Sequence, residues 1–189
     1  MAADGLGPDA GRHRILCSEL AHFSVARAAA VLGLGGRAVQ PVPVDDRRRL
    51  RPDELDRALE RLEAAGELPL ALVATAGTTD FGSIDPLPAL AERARARGLW
   101  LHVDAAWGGG LLFSDRHRSL LAGIEAADSV AVDFHKLLWQ PAGCGAFLVR
   151  DRAHLAPLEV TGIFRVQAPP CRAGLGPAGR ECAAGGGRP

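Results

Sequence analysis

Residues 86–104 read PLPALAERARARGLWLHVD, and this stretch decides the fold. Pro86 to Arg97 is a helix opened by proline and stopped by Gly98, which tolerates the left-handed backbone at a helix end. Leu99 to Val103 then reads as a buried strand, apolar except for His102. Asp104 stands at its exit. The same unit recurs upstream. Pro52 opens a helix to about Ala65 with Leu55, Leu59 and Leu62 on one face, Gly66 ends it, and Leu70 to Thr75 is the next apolar run. Arg14–Cys17, Ser129–Val132 and Ala146–Val149 are further short strands. Ser24 caps an alanine-rich helix to about Leu32, halted by Gly33 and Gly35. Ala38–Val44 is an edge strand, because Pro41 and Pro43 cannot donate to a ladder. Helix and strand alternate, so the chain is α/β with a mostly parallel sheet flanked by helices.

In such sheets ligands bind beyond the carboxyl ends of the strands. The polar residues at those ends are His22, Thr78 and Thr79, Asp104, and the group Asp133, His135 and Lys136. Composition sharpens the list. Lysine and arginine together number 22, and Lys136 is the only lysine. A chain that writes nearly every cation as arginine and keeps one lysine points to a need for a primary amine. A guanidinium stays protonated and cannot attack a carbonyl. The apolar residues after Lys136 favour Schiff-base chemistry by desolvating the amine. A lysine at one strand end and a carboxylate at another suit pyridoxal 5'-phosphate (PLP): the amine holds the aldehyde and the carboxylate keeps the pyridine nitrogen protonated.

Other classes are excluded. The formal net charge is zero, without the concentrated basic excess of a nucleic-acid binder. No apolar run is long enough to span a membrane, and Met1–Gly11 lacks the pattern of a signal peptide. Four cysteines without a C-x-x-C pair fit reduced thiols in a cytoplasmic protein. The spacing of His13, Cys17 and His22 lacks a fourth metal ligand. Gly33–Ala38 fits G-x-G-x-x-A, but a helix precedes it and a strand follows, the reverse of a dinucleotide site. Gly108-Gly109-Gly110 reads as a flexible turn that lets backbone pass near a cofactor. Residues 165–189, rich in Gly, Pro, Ala and Arg, read as a disordered tail. The divisions expected are a lead at 1–13, a partial cofactor-binding large domain at 14–164, and that tail.

Four segments resemble the group II PLP-dependent decarboxylases, which include glutamate, aromatic amino-acid and 2,4-diaminobutyrate decarboxylases. They are Ser18–Gly35, Ala74-Thr75-Ala76-Gly77-Thr78-Thr79, His102-Val103-Asp104-Ala105-Ala106 and Asp133-Phe134-His135-Lys136. Order and spacing hold from about Cys17 to Leu155. The resemblance implies part of an aspartate-aminotransferase-like, type I large domain and a homodimer. It implies that Lys136 carries the cofactor, Asp104 pairs with the pyridine nitrogen, and His22 and Ala106 cover the two ring faces. Thr79 would lie near the cofactor or substrate carboxylate, and His135 would help hold the phosphate. The family's upstream phosphate-gripping turn and its C-terminal small domain fall outside the matched stretch. The reaction implied is decarboxylation of an L-amino acid, with a diaminobutyrate- or glutamate-like substrate. Two alternatives stand beside it: another reaction on the same cofactor, such as a lyase or aminotransferase, and a truncated, non-catalytic remnant.

Overall fold

In a computed structural model, Gly7 and residues 9–158 are described. Six strands form one sheet: β1 (His13–Ser18), β2 (Val39–Val42), β3 (Leu68–Thr75), β4 (Trp100–Asp104), β5 (Ser129–Asp133) and β6 (Gly145–Val149). Their order is β2-β1-β3-β4-β5-β6. The pairs β1–β2, β1–β3, β3–β4 and β4–β5 are parallel, and β6 runs antiparallel to β5. The expected edge strand with its prolines is β2. The sequence reading missed the reversal at β6, which follows from a return loop too short to hold a crossover helix.

Three α-helices cover the sheet: α1 (Ser24–Val31), α2 (Pro52–Ala64) and α3 (Leu87–Ala96). On α2, Pro52 occupies the first turn with Asp53 and Glu54, where their charges favour the positive helix end. Its Leu55, Ala58, Leu59 and Leu62 are buried in one core with Leu16, Leu72, Leu101 and Val103 of the sheet and Leu87 and Leu90 of α3. Burying each leucine contributes about 2 kcal/mol. Arg93 of α3 reaches Asp56 of α2 at 2.9 Å. The opposite face is thinner. Ala29, Leu34 and Ala38 pack there with Ile15 and Val39.

Two local expectations differ from the structure. Ser24 is the first helical residue of α1 rather than its cap; Phe23 holds the cap position without a side-chain bond, because the Ser24 hydroxyl is taken by His22 Nδ1 at 2.9 Å. β4 is not buried on both faces. Leu101 and Val103 are buried, while Trp100, His102 and Asp104 on the other face are half-buried.

Asp85 fixes where β3 ends. Its carboxylate is 3% exposed and accepts from Leu50 N and Thr75 N, both at 2.7 Å. Burial pushes its pKa up, and the two backbone donors oppose that rise. Both oxygens are acceptors, so Asp85→Asn turns one amide group against a backbone N–H. The expected loss is about 2 kcal/mol, read as a lower urea midpoint; an unchanged midpoint contradicts the assigned clamp.

Candidate active site

Four strand exits meet at one cavity of about 270 Å³, lined by His22, Thr75, Gly77, Thr79, Asp104, Ala106, Trp107 and Lys136. A larger open groove of about 880 Å³ lies at the other end of β4, with Leu99, Trp100 and Arg150 in its wall. We place the site in the smaller cavity, which alone of the two brings the lysine and Asp104 together.

β3 delivers Thr75 and then turns at Gly77, whose φ of +100° is open to glycine. The following pair divides its work. Thr78 is buried and bonds Ser83 Oγ at 2.8 Å, whereas Thr79 faces the cavity. β4 delivers Asp104, whose Oδ1 accepts from Ala106 N at 3.0 Å. This bond fixes the carboxylate and leaves Oδ2 without a hydrogen-bond partner among the described residues.

The glycine run after Trp107 is a correction to the sequence reading. Gly108–Phe113 is a 3-10 helix wedged against the sheet, not a flexible turn. Gly108 N donates to Ala76 O at 2.9 Å. A Cβ on Gly109 would stand 2.7 Å from Val132 Cγ1. Glycine is required here by crowding rather than by mobility.

β5 delivers Asp133, and the chain returns to β6 through a tight loop. Cys144 O accepts from Phe134 N at 2.9 Å and lies 2.8 Å from His135 Nδ1. A carbonyl only accepts, so His135 carries a proton on Nδ1, and Nε2 is the nitrogen left for other work. That atom lies 3.8 Å from Asp133 Oδ2. Lys136 Nζ is 2.9 Å from the same carboxylate oxygen. Gly145 makes this possible, since a Cβ there would come within 2.9 Å of Asp133 Oδ1. His22 enters from the loop after β1, tilted against Phe23 with ring centroids 4.1 Å apart.

Of the residues singled out in the sequence, His22, Thr79, Asp104, Ala106 and Lys136 share the cavity wall. His135 stands next to Lys136 but outside that wall. The reading did not single out Trp107, and it named Asp133 as a strand-end residue and Thr75 and Gly77 as parts of a motif without giving any of them a role; for Asp133 the signal was its place three residues before the lysine in a turn. Thr75 Oγ1 is buried and unpartnered. Among the described residues no group of three or more His, Cys, Asp or Glu could hold a metal. Cys17, the middle residue of the metal spacing, is buried, and burial together with the Asp85 charge raises its thiol pKa to about 11. No helix among the described residues is long and apolar enough to cross a membrane.

Residues 9–163 match the family model of the pyridoxal-dependent decarboxylase conserved domain. The chain is 51% identical to L-2,4-diaminobutyrate decarboxylase of Rhizobium meliloti over 159 residues, 84% of this chain and 32% of that protein. It is 47% identical to rat cysteine sulfinic acid decarboxylase over 75% of this chain and 29% of that one. It superposes on the glutamate decarboxylase domain of the diaminobutyrate-pyruvate transaminase and L-2,4-diaminobutyrate decarboxylase of Vibrio parahaemolyticus. That match has a TM-score of 0.77 and 43% identity, over 79% of this chain and 32% of that one. The chain thus spans about a third of the length of the curated relatives it matches. Its mostly parallel sheet is the type I large-domain architecture expected from the sequence, and the chain belongs to the pyridoxal-dependent decarboxylase family.

Proposed function

We propose that the cavity holds PLP with Lys136 as its covalent anchor, in an enzyme that decarboxylates an amino acid. The observation that carries this reading is the meeting of the sole lysine and Asp104 in one cavity wall. The residues fit a flat aromatic aldehyde with a basic ring nitrogen. One amine, one carboxylate with an unpartnered oxygen, an imidazole and a hydroxyl surround a space of about 270 Å³, and Thr75 Oγ1 lies buried in the wall without a partner.

When bound, PLP supplies an electron sink for the pair left behind as carbon dioxide departs. The chain's own residues do the rest. Lys136 Nζ must lose a proton before it can act as a nucleophile, and Asp133 Oδ2, 2.9 Å away, is placed to take it. Asp104 holds a proton on the ring nitrogen and is itself held by Ala106 N. His22 and Ala106 cover the ring faces and restrict water. Thr79 orients a carboxylate, and His135 Nε2 serves the phosphate. A homodimer is proposed on the family resemblance, and a cytoplasmic setting on the free thiols of Cys17 and Cys144.

The similarity to L-2,4-diaminobutyrate decarboxylase favours 2,4-diaminobutyrate as substrate. The chain, supplied with PLP and carboxyl-labelled amino acids, is expected to release labelled carbon dioxide from diaminobutyrate faster than from glutamate or cysteine sulfinate. Release from another of these amino acids moves the substrate. PLP binding without any release would exclude decarboxylation and favour another reaction on the same cofactor.

A further inference from the structure

One polar cluster in the sheet lies outside the cavity wall yet touches the strand that delivers Asp104. Trp100 and His102 stand on β4, and Ser129 opens β5 opposite His102. Trp100 Nε1 lies 2.9 Å from Ser129 Oγ, and His102 Nδ1 lies 2.8 Å from the same oxygen. An indole N–H only donates, so Ser129 Oγ accepts from Trp100. Ser129 is 2% exposed, and its own proton has no other acceptor within reach among the described residues. That proton goes to His102 Nδ1, which therefore accepts, and the ring proton sits on Nε2. Phe147 stacks on the imidazole with centroids 5.9 Å apart.

Alternate residues of a strand share a face, so His102 and Asp104 stand on one side of β4, roughly 7 Å apart along it. We propose that His102 is a positioning residue for Asp104: Trp100 and Ser129 hold its ring as the uncharged Nε2–H tautomer, so that no cation on β4 neutralises Asp104 before a cationic ring nitrogen arrives. An imidazolium at this place would compete for the same carboxylate. The surroundings agree with the geometry. Burial lowers the pKa of His102, and the Asp104 charge and a hydrogen bond to the Ser129 backbone oppose without prevailing. Val73 of β3 is paired with His102, Cys17 lies one strand further, Asp133 is at the far end of β5, and His154 packs on Trp100.

The benefit to a cofactor rests on the functional reading above, but the test does not need the cofactor. Nitrogen-15 NMR of the imidazole in the full chain is expected to show the Nε2–H tautomer, titrating below 6.5. The carbon-13 signal of the Asp104 carboxyl should step at the same pH. Ser129→Ala removes the donor to Nδ1, and both signals should then move together to a higher midpoint than in the wild type. His102→Gln should abolish the step at Asp104. An Nδ1–H tautomer, or a wild-type midpoint at 6.5 or higher, overturns the proposal even if the serine variant does not fold. So does a Ser129→Ala midpoint equal to the wild type. In a PLP titration followed by cofactor absorbance, Ser129→Ala should lose about fivefold in affinity relative to wild type between pH 7.5 and 6. A wild-type chain that binds no PLP sinks the functional reading, while the NMR result still decides the role of His102.

Discussion

Lys136→Ala is expected to keep the fold and to lose every borohydride-stable PLP adduct other than any label on the N-terminal amine. The fold survives because the lysine contributes little to it. Its ion pair with Asp133 has side chains 35% and 29% exposed, and solvent reduces such a pair to about 0–1 kcal/mol. Chemistry depends on it entirely, since no other lysine exists in the chain. Lys136→Arg restores the charge beside Asp133 but not a nucleophilic amine, and is expected to fail in the same way. Residual non-covalent PLP binding in either variant should weaken by on the order of 100-fold. Circular dichroism checks the fold, and absorbance with mass spectrometry checks the adduct. An adduct that persists in Lys136→Ala beyond that label contradicts the assignment.

Gly108→Ala should be the most damaging single-methyl addition to this site. The added Cβ would lie 2.2 Å from Ala76 O and 2.9 Å from Ala76 C. Both are backbone atoms at the exit of β3, and the Gly108 N–H is bonded to that same oxygen at 2.9 Å. Relief requires the β3 exit and the 3-10 helix to separate, which pulls Thr75 and Gly77 away from Asp104 and Ala106. The expected cost is about 3 kcal/mol or more, with loss of PLP binding. Gly110→Ala is the control. Its Cβ meets Leu137 side-chain atoms at 3.0 to 3.2 Å, and a leucine can shift, so the cost should be nearer 1 kcal/mol. Thermal unfolding of the two variants ranks them, and equal midpoints would mean that the backbone contact is not as close as described.

The α/β class was legible because periodicity and punctuation agree. Apolar runs at Leu70–Thr75 and Leu99–Val103 follow helices ended by Gly66 and Gly98, and both strands formed there. Strand ends also pointed to the candidate site, since Asp104 and Lys136 stand just beyond the apolar runs of β4 and β5. What stayed hidden depends on partners distant in sequence. Glycine at 108–110 carries no mark that separates mobility from crowding, and only the approach of Ala76, Val132 and Leu137 decides it. Nothing in the sequence marks Asp85; its role depends on Leu50 N and Thr75 N, which donate to its two carboxylate oxygens. β4 reads as a buried strand, yet Trp100 and His102 turn to a half-buried face where Ser129 engages both. The antiparallel turn to β6 likewise depends on Cys144 O closing on Phe134 and His135. The expected tail at 165–189 lies outside the described residues.

The central claim is that this cavity presents Lys136 to PLP. Its most direct test is to mix the chain with PLP, reduce with borohydride under native conditions and in denaturant, and map the adduct by peptide mass spectrometry. The account predicts an adduct on Lys136 in the native chain, preceded by the visible absorbance of lysine-bound cofactor, with labelling that falls sharply in denaturant. No native adduct, or equal labelling of native and denatured chain, would contradict a formed site.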